Sequence, residues 1–210
     1  MFLKSVNVGK TSVVLLIAGD GGEEALVLSP GEWKRLSASF GRIPADGDEI
    51  TPDLYDRLHD AAARTAALRD CALLLRSRDR SEAELKRKLR EKRHPAEAIE
   101  SALAYVKEKG YLNEEAACLR YAEAAVRSSH YGPRRIAAYL RSHGYDAKAA
   151  SSAACAVPEE DYRAALDWQL THKYPALAEA APAEREKIYA ALLRLGFTSD
   201  EIRAALRERS

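Results

Sequence analysis

Residues Arg127–Tyr145 read RSSHYGPRRIAAYLRSHGY. Gly132-Pro133 opens a helix, because proline at the first helical position gives up only an N–H that has no intrahelical partner. Gly144 closes it, because glycine enters the left-handed conformation that ends many helices at no steric cost. Ile136 and Leu140 fall on one face and Arg134, Arg135 and Arg141 around the other. The same outline occurs at 81–94 and again at 183–197. One stretch thereby sets the fold class, since a pattern that recurs at a fixed interval is the signature of a repeat architecture.

The interval is 51 residues without a gap: Leu85, Leu89, Ile99 and Leu103 align with Ile136, Leu140, Ala150 and Ala154. A further shift of 52 reaches Ile188, Leu192, Ile202 and Leu206. The turns align as Arg93-His94, Gly144-Tyr145 and Gly196-Phe197, an apolar residue following each glycine to close over the last turn. Arg93 departs from the pattern and is expected to cost local stability. Helix starts follow each turn at His94-Pro95, at Asp146 and at Thr198-Ser199-Asp200-Glu201, the last a capping box. Ser81-x-x-Glu84 starts the equivalent helix of the first copy. A preceding helix recurs too, Leu68 and Leu75 matching Leu119 and Val126, with Tyr162, Leu166 and Leu170 in the third copy after a longer connection at 173–182.

The expected fold is mainly α. Three tandem three-helix repeats, at 66–112, 113–157 and 158–210, form an elongated, curved array. A small N-terminal β-containing domain with a short helix occupies 1–51, and a linking helix 52–65. The first segment is richer in Val, Gly, Ser and Thr than the rest. Phe2, Val6 and Val8 alternate along one side of a strand, Ser12–Ala18 is a β-branched run, Asp20-Gly21-Gly22 a turn and Glu24–Leu28 a third strand. Ser29-Pro30-Gly31-Glu32 starts a short helix with Trp33 and Leu36, Gly41–Ile50 is loop, and Thr51-Pro52 restarts helix. Gly9-Lys10-Thr11 lacks the rest of a phosphate loop, so it gives no nucleotide site.

The net charge of +1 argues against a generic polyanion binder, but its distribution is uneven: residues 66–157 hold 18 basic and 12 acidic side chains between two mildly acidic ends. Such a local surplus steers encounters with anionic partners. Lys86, Arg87, Lys88, Arg90, Lys92 and Arg93 form its densest part. With Leu85 and Leu89 buried, most of these point outward. They either pair with Glu82, Glu84 and Glu91 on a solvated face or meet an acidic protein surface or phosphates. Arg134, Arg135 and Arg141 form a second group. Here the free N–H groups at the Pro133 helix start meet an anion, or Pro133 only fixes that start and Arg134 pairs locally. Of Tyr121, Tyr131, Tyr139 and Tyr145, at least two belong to the core and Tyr131 is the candidate for exposure.

Nothing in the sequence assembles chemistry. Cys71, Cys118 and Cys155 are far apart and read as small buried hydrophobes of a reducing compartment. Four ligands for a zinc ion are not clustered. His59, His94, His130, His143 and His172 are scattered over loops and helix ends, whereas a catalytic histidine needs a nucleophile or carboxylate held beside it. A helix-turn-helix reading fails because the helix after each turn is poor in base-contacting residues, only Lys148 and Arg203 being in reach. No signal peptide and no apolar run of membrane-spanning length appear. The expectation is a cytoplasmic, monomeric, non-enzymatic protein with no catalytic residues, cofactor or metal.

The residues SEAELKRKL at 81–89, Gly110-Tyr111-Leu112-Asn113, Tyr121, Gly132-Pro133-Arg134-Arg135-Ile136, Leu140 and Gly144 resemble the RecX family, bacterial regulators of the RecA recombinase. Tyr162, Lys173-Tyr174 and 192–202 extend the likeness, which covers 66–208. Asn113 stands where an aspartate is usual and Ala117 where an aromatic is common. The resemblance implies a tandem three-helix fold that binds RecA–DNA filaments along their groove and mostly inhibits ATP hydrolysis and strand exchange, in recombination, DNA repair and the SOS response. The N-terminal strands look like the optional extra domain of longer members. Its partners would be the RecA filament and single- or double-stranded DNA, met directly or through the filament. The alternative is a stand-alone nucleic-acid-binding helical module that competes for DNA.

Overall fold

The computed structural model describes residues 1–19, 21–40, 44–175 and 180–208. Asp20 of the expected turn, 41–43 of the expected loop and 176–179 of the expected long connection lie outside the described residues. The chain divides into two compact units. Unit 1 holds Met1–Asp79 and Leu85–Leu112, unit 2 Arg80–Glu84 and Asn113–Ser210.

Unit 1 opens with an antiparallel meander of β1 (Phe2–Val8), β2 (Val13–Gly19) and β3 (Gly22–Leu28), in that spatial order. The β-branched run supplies the central strand, and alternation sends Val13, Leu15 and Ile17 inward with Leu26 and Leu28 of β3. The expected side of β1 is corrected. Leu3 is the buried residue and Phe2 and Val8 are exposed, while Val6, half-buried, packs on the core as expected; a bulge between Leu3 and Ser5 shifts the register between them. A bulge adds a residue to one strand and so reverses which side chains face the core.

Helix α1 (Pro30–Ser39) starts at Ser29, whose Oγ accepts the Glu32 N–H at 3.1 Å, and buries Trp33 and Leu36 against the sheet. Glu32 does not reach back to close a capping box. Its carboxylate takes two N–H groups of Arg64, at 2.8 and 3.0 Å, from the next helix. That helix, α2, runs unbroken from Pro52 to Ser77 after a Thr51 cap. At 1.5 Å per residue it is about 39 Å long, enough to serve two cores. Leu54, Leu58 and Ala61 face the sheet, and Ala67 and Cys71 face a second cluster with Leu85, Leu89, Ile99, Leu103 and Val106. The segment on either side of Ala66 is thus one element. The second cluster is completed by α3 (Glu82–Glu91) and α4 (Ala96–Glu108).

Unit 2 contains α5 (Glu114–Ser129), α6 (Pro133–Ser142), α7 (Ala147–Ala156), α8 (Glu159–His172), α9 (Pro182–Arg194) and α10 (Ser199–Arg207) around one apolar cluster. Caps fall where the sequence puts them: Asn113 on Ala116 N–H, Asp146 on Lys148 and Ala149 N–H, and a reciprocal box between Thr198 and Glu201. In the third repeat the first helix buries Tyr162, Leu166 and Leu170 as expected, and Val126 of the second is buried too, but in the first two repeats the main stripe differs from the one expected. Leu119 is exposed and Leu68 only half-buried. Cys118 and Ala122, equivalent to Ala67 and Cys71, are the buried pair. Small side chains let helices approach closely, so the stripe of contact is the one with least apolar bulk. Cys155 is exposed, against the expectation of three buried cysteines, while burial pushes the Cys71 and Cys118 thiols up to about 11. His59 lies well inside α2, not at an end. Among the described residues, no helix is long and apolar enough to cross a membrane.

Three helix ends share one geometry. His94, Tyr145 and Phe197 N–H groups reach back to Leu89, Leu140 and Leu192 carbonyls at 3.2, 3.2 and 3.3 Å. The residue before each is left-handed: Arg93 at φ 64°, Gly144 at 82° and Gly196 at 96°. Arg93 therefore adopts the conformation its glycine counterparts adopt, at a steric cost of about 1–2 kcal/mol.

Candidate partner-binding surface

The junctions inside unit 2 decide which basic side chains are free. Ser81 Oγ accepts the Glu84 N–H at 3.2 Å and donates to the His143 carbonyl at 2.6 Å. One repeat later, Gly132 N–H donates to Leu195 O at 2.8 Å and Arg134 N–H to Gly196 O at 3.1 Å. In both places a helix start sits on a glycine turn. A Cβ on Gly144 would come within 2.9 Å of Ala83 Cβ, and one on Gly196 within 2.3 Å of Arg135 N. The N-terminus of α6 is consequently covered by chain, and its amides are not open to a phosphate. That corrects the reading in which they hold an anion.

Arg135 belongs to this junction. Its guanidinium stacks over Tyr131 at 4.3 Å and donates to the Arg194 carbonyl at 3.1 Å, so it caps the end of α9. Arg134 and Arg141 differ: both are exposed, and neither forms a side-chain ion pair among the described residues. The local Glu or Asp partner expected for Arg134 is not what holds it.

Within unit 1, most of the other cluster is answered by acids of its own neighbourhood. Arg87 and Lys88 share Glu91, Lys86 meets Glu100, and Lys92 meets Asp70 at 3.1 Å. The bond from Lys88 leads in holding the Glu91 carboxyl below its ordinary range, and that from Lys86 does the same at Glu100. Such exposed pairs contribute little to stability, but they reduce the charge on offer to a partner. Arg90 and Arg93 are exposed and form no ion pair among the described residues. Asp70 is a structural hub. Burial alone would raise its carboxyl, yet hydrogen bonds from His94 at 2.9 Å and from Lys92 outweigh it and the result is a lowered value. The nine basic positions thus fall in two groups, 86–93 in unit 1 and 134–141 in unit 2. Five of the nine form no ion pair among the described residues; Arg135 is held by the Arg194 carbonyl and the Tyr131 ring, which leaves Arg90, Arg93, Arg134 and Arg141.

The tyrosines also sort differently from the expectation. Tyr139 is 40% exposed, whereas Tyr131 is half-buried beneath Arg135, and Tyr121 and Tyr145 pack partly against the core. Two ring columns emerge that no sequence pattern announces. Tyr121, Tyr139 and His143 stack in series, with centroids 4.3 and 3.9 Å apart. His130, Trp168 and His172 do the same at 4.0 and 4.7 Å. His130 is left-handed at φ 51°, and burial first, then His172 and Lys173, lowers its imidazole below the ordinary value. The spacing of Tyr139 and His143 by four, across the end of α6, is the available clue; Tyr121 comes from another helix. Two histidines do have a carboxylate beside them, Glu24 at 3.2 Å from His59 and Asp70 at 2.9 Å from His94. Each joins two elements of unit 1. Among the described residues no group of three or more His, Cys, Asp or Glu side chains is placed to hold a metal ion.

Known proteins share this fold and part of this sequence. A family model described as RecX, first three-helix domain, matches residues 63–105. Regulatory protein RecX of Xanthomonas campestris pv. campestris (strain B100) is 33% identical over 147 residues, covering 69% of this chain and 87% of the relative. The protein of the same name from Stenotrophomonas maltophilia (strain K279a) is 35% identical over 153 residues, covering 69% and 86%. The crystal structure of a regulatory protein RecX superposes with a TM-score of 0.77 at 16% identity over 98% of both chains, a likeness of fold. RecX from Lactobacillus salivarius gives 0.65 at 19%, over 70% of this chain and 97% of that one. Sequence identity spread over most of the relatives' length, together with the three-helix repeat and its glycine turns, leads to one assignment: this chain belongs to the RecX family of regulatory proteins.

Proposed function

We propose that the chain is a non-enzymatic regulator that binds RecA–DNA filaments and modulates them, in the direction of inhibiting ATP hydrolysis and strand exchange. Family membership supports the partner. The observation that carries the contact surface is that four arginines of the two basic groups, Arg90 and Arg93 in one unit and Arg134 and Arg141 in the other, are exposed and form no ion pair among the described residues. Two compact units with one basic group each engage a polymeric partner with an avidity above either contact alone, provided the spacing fits. Binding that favours one filament geometry over another then shifts the filament's activity. In this reading the protein works as a cytoplasmic monomer.

The test is RecA ATP hydrolysis on single-stranded DNA, with wild type beside a variant in which Arg90, Arg93, Arg134 and Arg141 are alanine. Arg135 is spared because its loss would disturb the α9 end. Wild type is expected to slow hydrolysis at substoichiometric amounts, and the variant, equally helical, to act weakly. An equal effect of the two would refute the arginine surface. No effect of wild type, with bare DNA still bound, would replace the regulator by a competing DNA-binding module.

A further inference from the structure

The two edges of the three-stranded sheet are finished differently. On the β1 side, chain from further along closes the edge. Leu3 N–H donates to Asp48 O at 2.8 Å, Gly47 N–H to Leu3 O at 2.7 Å and Ile50 N–H to Met1 O at 3.0 Å, while the Asp46 carboxylate accepts Val6 N–H at 2.8 Å. The β3 edge has no such cover among the described residues. Its register with β2 is unbroken from Gly22 to Leu28, and the strand carries no proline, lysine or bulge, the usual protection of an edge. Gly19 and Gly22 flank a two-residue connection and so exchange their hydrogen bonds. The alternation that follows turns the N–H and C=O groups of Glu23, Ala25 and Val27 away from β2, and among the described residues nothing bonds to them on that side. Ser29, next in the series, gives its N–H to Thr65 Oγ1 at 2.9 Å, which ends the edge. About 24 Å of strand is left with one side unpaired.

The side chains along this edge say what pairs with it. On the sheet face away from the core, Val14, Ala25 and Val27 are exposed and Leu16 half-buried, an apolar patch that a further strand would extend. On the core face lies α2, whose Leu54, Leu58 and Ala61 point at the sheet. At about 100° per residue, Tyr55, His59 and Ala62 lie about 70–130° to one side of that direction and Arg57 and Arg64 about 70–90° to the other. The arginines meet Phe40 and Glu32 at α1, so the Tyr55 side is the one beneath the open edge. Glu24 agrees with this placing: its carboxylate accepts Tyr55 OH at 2.9 Å and lies 3.2 Å from His59 Nε2. Ala62, further along, is small and leaves space there. Glu23 and Glu24 are both about half exposed. Glu23 has Lys4 on its β1 side, Glu24 has no Lys or Arg among the described residues, and neither has a cation across the open edge. A second copy of β3 fits this edge poorly. Antiparallel to itself, the strand sets each glutamate against glycine, an apolar residue or another glutamate, never a cation.

We propose that the open edge of β3 is a docking site for an extended segment of another protein, added antiparallel as a fourth strand, with a pair of Lys or Arg residues opposite Glu23 and Glu24 and β-branched residues opposite Ala25, Leu26 and Val27. Main-chain hydrogen bonds to the outward groups of Glu23, Ala25 and Val27 supply the attachment, and the two cross-strand ion pairs set direction and register. The site lies wholly in the sheet and α2 of unit 1 and goes beyond the proposed function, on which it does not depend.

The experiment uses the full chain without recombinase or nucleic acid. The probe is a fluorescent peptide of alternating threonine and valine that ends in two lysines; its control ends in two glutamates. Anisotropy is titrated with wild type, with Ala25→Pro and with the double variant Glu23→Lys, Glu24→Lys. Wild type is expected to bind the lysine peptide at least about fourfold tighter than the glutamate peptide, and the double variant to reverse that order. Ala25→Pro removes an outward N–H and leaves the bonds to β2 in place, so it should keep the helical circular dichroism of wild type and weaken binding about tenfold or more. Amide exchange at Ala25 and Val27 should slow when the lysine peptide is bound. Should Ala25→Pro disturb the sheet, the charge reversal decides, because it leaves the strand's hydrogen bonds alone. Equal binding of the two peptides by wild type, undiminished binding by Ala25→Pro, or no binding by wild type would each overturn the site. Dimers in sedimentation that Ala25→Pro dissolves would overturn it in favour of a second copy. None of these outcomes bears on filament ATP hydrolysis, which tests the regulator separately.

Discussion

Replacing Gly110, Gly132 and Gly196 one at a time with alanine separates two costs that a glycine turn confounds. Gly110 is left-handed at φ 71°, but a Cβ there would meet nothing within 4 Å. Its cost is backbone strain alone, about 1–2 kcal/mol, partly offset by about 0.4–1 kcal/mol from a stiffer unfolded chain. Gly132 has the opposite character. Its φ of −82° suits any residue, yet a Cβ would lie 2.5 Å from Gly196 C and 2.6 Å from Gly196 O. Backbone cannot swing aside as a side chain does, so the α6 start must lift from the α9 turn. That strains the two junction hydrogen bonds, each about 1 kcal/mol, on top of about 1–3 kcal/mol of overpacking. Gly196→Ala carries both penalties, φ 96° and a 2.3 Å approach to Arg135 N, and is expected to cost about 3–5 kcal/mol. The order of destabilisation is therefore Gly196, then Gly132, then Gly110. The assay is urea denaturation followed by helical circular dichroism, supported by melting, where each kcal/mol moves the midpoint by about 2–4 °C in a chain of this size. Should Gly132→Ala prove as mild as Gly110→Ala, the close approach of the two turns is wrong and with it the covered α6 N-terminus.

Arg135→Ala should lower stability by about 1–2 kcal/mol through loss of the Arg194 carbonyl bond and the Tyr131 stack, while Arg134→Ala stays within about 0.5 kcal/mol, both read from denaturation midpoints. Asp70 has its folded value depressed, so its stabilising contribution is full above the usual carboxylate range and lost as pH falls through that depressed value; Asp70→Asn should flatten the acid limb of a pH–stability profile. His130 is likewise depressed, so the fold loses stability as pH drops through the ordinary imidazole range and the ring is forced to protonate. His130→Asn, which keeps a left-handed-tolerant residue, should remove that part of the profile, and an unchanged slope would show that burial at His130 does not matter.

Much of the architecture is legible because it rests on local rules. The 51-residue alignment finds helices that the structure ends with the same reach-back bond at His94, Tyr145 and Phe197. Ser29, Thr51, Asn113, Asp146 and Thr198 all cap as their side chains dictate. The buried face of β1 is not legible, because its bulge depends on pairing with β2, which the strand's own residues do not encode. In the first helix of the first two repeats the leucines suggest one stripe, whereas close helix contact selects Ala67 and Cys71, and Cys118 and Ala122; in the third, Leu166 and Leu170 are buried as their spacing suggests. At the candidate surface, charge is legible and availability is not. Lys86, Arg87, Lys88 and Lys92 look like a basic face in one dimension and are partly neutralised by Glu100, Glu91 and Asp70 in three.

The family, the repeat, the caps and the left-handed turns are all written in the residue order, because each depends on side chains within a helical turn of one another. Why glycine stands at 144 and 196 while arginine serves at 93 is a matter of packing. The φ requirement is common to all three positions, but at Gly144 and Gly196 the start of another helix presses within van der Waals distance of the missing Cβ, whereas Arg93 is exposed. Packing likewise makes Arg135 cap a helix while Arg134 beside it stays free, and brings Tyr121 of α5 into one column with Tyr139 of α6 and His143 just past the end of α6. Contacts between residues far apart in the chain are set by how helices meet, and no reading of spacing along one helix contains them.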